Sequence, residues 1–138
     1  MILYCAADLI WATRIKATAD SLGIPCRPVR SVEMLEARLA DSDVRAVIVD
    51  LDAPEVSLAV IQALRGTSQT PARDPDRRIT ILAFGPHVAI EVFQQAREAG
   101  ADRVLARGAF DRAVPQILKD LSSGKWPDSA PPTPPPAA

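Results

Sequence analysis

Three aspartates, one arginine and one histidine are the side chains in this sequence best suited to chemistry. Asp8 follows the apolar run Ile2-Leu3-Tyr4-Cys5, and Asp50 and Asp52 follow Ala46-Val47-Ile48-Val49. Arg107 follows Val104-Leu105. Carboxylate oxygens gathered at one edge are hard ligands for a divalent cation. A guanidinium is always protonated and offers a fork to one or two carboxylates. His87, the single histidine, follows Gly85-Pro86. At a helix start it would be an acid/base group beside backbone N–H anion donors, or, on the plainer reading, a surface histidine. Cys5 and Cys26 fall on adjacent predicted strands; they could approach each other, but small buried apolar residues in a reducing compartment is the plainer reading. Two cysteines and one histidine are too few for a Cys/His zinc site. Neither GxGxxG nor GxxxxGK[ST] occurs, which argues against a nucleotide or flavin site.

The elements that must position these residues can be read from the hydrophobic pattern. Apolar runs alternate with helical stripes, as in a parallel sheet covered by helices on both faces. After strand one, Trp11, Ile15, Ala19 and Leu22 line one face of a helix that Gly23 ends. Ile24 to Val29 makes a short second strand, placed at an edge by Pro25 and Pro28, each of which removes a ladder donor. Ser31 caps a second helix carrying Val32, Leu35 and Leu39. Ala46 to Val49 is the central strand, followed by a helix marked by Val56, Val60 and Leu64. Gly66 to Arg78, poor in apolar residues and holding Pro71 and Pro75, reads as a mobile surface loop. Ile79 to Phe84 is strand four, and Pro86 is expected in the first turn of a helix bearing Val88, Val92, Phe93 and Ala96. A short fifth strand holds Val104-Leu105. The last helix is expected from about Asp111, which would put Pro115 in its opening turn.

The 138 residues, 48% apolar with net charge −1, make one domain's worth of chain and exert no bulk attraction on polyanions. No apolar run approaches a membrane-spanning length, and no secretory leader is visible at the N-terminus. No nucleic acid and no membrane is therefore expected as a partner, and the expected location is the cytoplasm. Five βα units with right-handed crossovers fold most simply as an α/β, flavodoxin-like doubly wound sheet of five parallel strands, order 2-1-3-4-5, with five helices. That domain spans residues 1–122. Residues 123–138, with Trp126 and six prolines from Pro127 to Pro136, read as a disordered or polyproline tail. Ligands of such sheets bind at the carboxyl ends of the strands.

At that edge the chain resembles the receiver domains of two-component response regulators, CheY-like single domains included. The resemblance covers about residues 1–122 and is carried by Val49-Asp50-Leu51-Asp52-Ala53-Pro54 and by Ala96-Arg97-Glu98-Ala99-Gly100-Ala101-Asp102. It implies that Asp50 stands where the family's phosphoacceptor stands, and that the side chain of Asp52 faces solvent. It also exposes departures. The family's two carboxylates after strand one correspond to Ala7-Asp8, and its Ser/Thr after strand four to Gly85. Its Lys-Pro after strand five corresponds to Arg107-Gly108, and its switching aromatic to Val104. Aspartyl phosphorylation needs Mg²⁺ in near-octahedral oxygen coordination, and one ligand is missing. No cofactor is therefore expected, beyond a weakly held Mg²⁺ for which Asp8 and Asp50 are the candidate ligands.

These substitutions lead to a physical expectation: Arg107 reaches across to Asp50, and to Asp8, and locks the edge in one state. Breaking such a buried pair from one side costs about 3–5 kcal/mol. The function expected is non-catalytic signalling or regulation through protein–protein contact, without aspartyl phosphorylation. The resemblance places the contact surface on the fourth helix, fifth strand and fifth helix, at Phe93, Gln94, Arg97, Arg103 and Asp111, with homodimerisation as a secondary expectation. The alternatives are an atypical single-domain response regulator phosphorylated on Asp50, and a small-ligand binder using Gly85, His87 and the aspartates.

Overall fold

The computed structural model describes residues 1–124; Lys125, Trp126 and the prolines after them lie outside the described residues. The elements run β1 (Ile2–Cys5), α1 (Leu9–Ser21), β2 (Cys26–Pro28), α2 (Val32–Asp41), β3 (Ala46–Asp50), α3 (Pro54–Arg65), β4 (Thr80–Gly85), α4 (Ile90–Ala99), β5 (Arg103–Ala106) and α5 (Arg107–Ser123). The five strands pair in parallel in the order β2-β1-β3-β4-β5. β3 is buried at every residue, as a β-branched run covered on both faces must be. β2, which ends in Pro28 and follows Pro25, is an edge.

Alternation of side chains along the strands divides the core into two layers. One layer joins Leu3, Cys5, Val47, Val49, Ile81 and Ala83 to α2, α3 and α4. The other joins Ile2, Tyr4, Cys26, Ile48, Leu82 and Phe84 to α1 and α5. Cys5 and Cys26 therefore sit on opposite faces of the sheet and do not approach each other. Both are buried free thiols, and burial pushes the Cys26 thiol up to about 12. Trp11, Phe84 and Phe110 fill the second layer, Phe84 stacked on Phe110 with centroids 4.0 Å apart and Trp11 edge-on to Phe84 at 5.2 Å.

Three local expectations are corrected. α4 begins at Ile90, so Pro86 and His87 lie in the turn before it, and Val88 is 74% exposed. α5 begins at Arg107, well ahead of Asp111, and Pro115 lies inside it. A proline there leaves the carbonyl four residues earlier without its helical donor. That carbonyl belongs to Asp111, and it accepts instead from the Arg14 guanidinium at 2.8 Å. Arg14 also pairs with the Asp111 carboxylate, so α1 supplies what α5 lacks.

The third correction concerns the 66–78 loop, which is pinned to the fold. Asp74 is 8% exposed and accepts from the backbone N–H groups of Arg78 at 3.1 Å and Ile79 at 2.9 Å. It also binds Arg65 at 2.9 Å. The Arg65 side chain, 3% exposed, further donates to the carbonyls of Gly100 and Ile79 and to Asp102 at 2.8 Å. Asp102 in turn accepts the Ile81 N–H at 2.7 Å. One guanidinium thus ties the end of α3 to the loop, to the start of β4 and to the α4–β5 turn. Gly100, at φ +116°, ends α4 directly against it; a Cβ at that position would stand 2.5 Å from Arg65 Cγ.

Candidate functional site

The carboxyl edges of β1, β3, β4 and β5 bring Asp8, Asp50, Asp52, Gly85 and Arg107 into one region, but not in the expected pairing. Asp50 ends β3 and is fully buried. Its Oδ1 accepts the Asp52 N–H at 3.0 Å, while Oδ2 has no hydrogen-bond partner among the described residues. Burial, reinforced by the Asp52 and Asp8 charges, holds the Asp50 carboxyl above its ordinary range; the Asp52 N–H and Arg107 oppose the shift without overcoming it. The Asp50 backbone carbonyl accepts from the buried Ser57 hydroxyl at 2.5 Å, anchoring α3 to β3.

Arg107 does not pair with Asp50. Its Nη2 pairs with Asp52 Oδ2, so Asp52, exposed as expected, carries an ion pair that was not expected of it. The guanidinium also lies over the Trp11 ring at 5.9 Å, while Arg14 stands 5.8 Å from the same ring. The link thus runs from the end of β3, through the first residue of α5, to α1. Trp11, read from the sequence only as a core residue, is the contributor that sequence reasoning missed. Its place in a helical stripe marked burial, and nothing in the spacing marked two cations above it.

Asp8 does not join this group either. It caps α1, its Oδ1 accepting the Ile10 N–H at 2.8 Å. Among the described residues no three His, Cys, Asp or Glu side chains converge to hold a metal ion, so Asp8, Asp50 and Asp52 do not form the cation site that three carboxylates at one edge suggested.

Gly85 does more than lack a hydroxyl. A Cβ built there would meet Leu51 Cβ at 3.0 Å and Phe93 Cε1 at 3.2 Å. The space a Ser or Thr would use is filled from β3's exit and from α4. Phe93, expected on an interaction surface, is 7% exposed and belongs to the core. Asp111, expected on the same surface, is engaged by Arg14. Val104 is half-buried against the α2–α4 layer. His87 is exposed in the turn ahead of α4, so it does not stand at a helix N-terminus.

The half-exposed Arg107–Asp52 pair predicts a modest energetic role. Arg107→Ala is expected to cost no more than about 1 kcal/mol in urea unfolding, far below the cost of a buried pair. A loss of 3 kcal/mol or more would show that Arg107 does hold Asp50 in solution.

No sequence-family model matches the chain, and no curated protein matches it by sequence. Solved structures do match. A response regulator signal receiver domain from Bermanella marisrubri superposes with TM-score 0.64 at 22% identity, over 87% of this chain and 95% of that one. The chemotaxis response regulator CheY4 of Vibrio cholerae gives TM-score 0.65 at 16% identity, over 87% and 96%. A CheY-like receiver domain from Methylobacillus flagellatus gives 0.61 at 21%, over 87% and 96%. Strand order, helix count and superposition over 87% of the chain agree: the chain has the fold of the response-regulator receiver domains.

Proposed function

We infer that this protein is a receiver-like regulatory domain that works through contact with other proteins and is not switched by aspartyl phosphorylation. One observation carries the reading: Asp50 is fully buried, and at the neighbouring end of β4 any side chain added at Gly85 would crowd Leu51 at 3.0 Å and Phe93 at 3.2 Å, so the hydroxyl-bearing residue of a phosphorylated site has no ready place there. A phosphoryl group on Asp50 would need room, a hydroxyl donor, a metal and a nearby cation. Here Asp50 is fully buried, the place of the hydroxyl is crowded by Leu51 and Phe93, Asp8 caps α1, and Arg107 pairs with Asp52. Asp50 itself is held towards its protonated, poorly nucleophilic form.

The test is direct. Incubation with acetyl phosphate and Mg²⁺ is expected to leave the intact mass unchanged under conditions that label a competent receiver domain. A phosphoryl adduct lost in Asp50→Asn would establish the alternative, an atypical single-domain response regulator.

The contact surface of this reading is the exposed side of α4 with β5, centred on Gln94, Arg97 and Arg103; Phe93 only supports it from beneath, with Arg97 6.0 Å above its ring. A second copy of the chain is the partner most readily examined, by sedimentation of wild type against Arg97→Glu. Within the same reading residues 1–122 act as the domain and 123–138 as an appended tail. No helix among the described residues is long and apolar enough to cross a membrane, and a cytoplasmic location fits the proposed role.

A further inference from the structure

A second place at the carboxyl edge, away from Asp52 and Arg107, has the make-up of a ligand site. A cavity of about 220 Å³ opens between the end of β1, the exit of β2 and the start of α3. Its walls are Cys5 and Ala7 on one side, Val29 on another, and Ala53 and Val56 on the third. Ser57 closes the floor, its hydroxyl already given to the Asp50 carbonyl at 2.5 Å. The Cys5 thiol, pushed up by burial, contributes as a small apolar group and not as a nucleophile.

Arg30 lies on the wall of this cavity and also of an adjoining one of about 110 Å³, bounded by Tyr4, Leu9 and Ala12. Arg27, three residues earlier, pairs with Asp41. Arg30 makes no hydrogen bond or ion pair among the described residues, leaving a whole guanidinium fork available beside apolar walls. That combination selects for a ligand with an anionic head and an apolar body. A bare inorganic anion would leave the apolar walls in contact with water, and a neutral hydrocarbon would leave the charge unused. The larger volume is worth roughly seven waters at ~30 Å³ each, which suits a body of about six to eight non-hydrogen atoms.

We propose that this cavity binds a short-chain monocarboxylate, its carboxylate on the Arg30 guanidinium and its chain between Val29, Ala53 and Val56. Because Ser57 forms the floor and also holds the Asp50 carbonyl, an occupant would sit one hydrogen bond from the end of β3. The site uses none of the residues on the α4–β5 surface, so it stands or falls separately from the protein-contact reading.

Titration of the ¹⁵N-labelled full chain with sodium hexanoate, followed by two-dimensional NMR, tests the assignment. Saturable shifts are expected at Cys5–Ala7, Val29–Arg30 and Ala53–Ser57. Arg30→Gln should weaken binding at least tenfold, and hexanol should bind comparably less well than hexanoate. Ala7→Leu, at an exposed position where folding is not threatened, should block the cavity and remove the shifts. Three results would overturn the proposal: no saturable shift in the wild type, hexanoate affinity unchanged in Arg30→Gln or in Ala7→Leu, or inorganic phosphate matching hexanoate.

Discussion

Replacing Arg65 by leucine is expected to lower the unfolding free energy by about 3–5 kcal/mol, the largest single-residue effect outside the apolar core. The leucine retains most of the packing but removes every donor that Asp74, Asp102 and the Gly100 and Ile79 carbonyls receive from this side chain. Asp74 would keep its two backbone donors and Asp102 one, so both stay partly satisfied, but Asp74, 8% exposed, would lose its guanidinium partner in a nearly dry setting while the more exposed Asp102 would lose less. The charges left behind, more than the lost attraction, set the size of the effect. Urea denaturation at pH 7 measures it. Arg65→Leu combined with Asp74→Asn and Asp102→Asn should recover part of the loss, since the stranded charges are then gone. A single mutant within 1 kcal/mol of wild type would show that the 66–78 loop is held by something other than this guanidinium.

Asp50→Asn is expected to move stability the other way, raising it by about 1–3 kcal/mol at pH 7, because it removes a charge that burial disfavours, although the new amide is left as short of partners as the oxygen it replaces. The pH dependence gives the sign independently. The folded-state pKa lies above the ordinary 3.8, so the folded chain holds this proton more tightly than the unfolded chain does. Stability attributable to this carboxyl is then fully present below pH 3.8 and is lost as pH rises through the folded value. Wild type and Asp50→Asn should therefore converge in acid and separate towards neutrality. Equal stabilities at pH 7, or a gap that widens in acid, would mean that Asp50 is ion-paired after all. The convergence also separates this effect from a general benefit of removing any surface charge, which salt would screen.

Much of this architecture is readable from residue order. The β-branched run Ala46–Val49 had to be a central strand, since both its faces are apolar, and the segment with Pro25 and Pro28 had to lie at an edge, since a missing donor is tolerated only there. Ser31 was legible as a cap because its hydroxyl reaches Met34 N–H three residues on. These are local consequences of periodicity, donor count and short-range geometry, and they suffice for the strand order.

Partner choice among charged side chains was not legible. From the sequence, Asp50 and Arg107 both fall at the carboxyl edge of the sheet and should meet; in the fold, Asp50 turns into the core and Asp52, two residues on, takes the guanidinium over the Trp11 ring. Pro115 likewise looked like a boundary because its tolerance depends on Arg14, some hundred residues away in the chain. Nothing in the sequence marked Arg65, at the end of α3, or Asp74, in the loop after it, and only tertiary packing made them a buried pair. The physical reason is common to all three. Apolar burial is non-directional and written in the local pattern, whereas an ion pair depends on side-chain directions and distances within a few ångströms, which exist only once distant segments have packed.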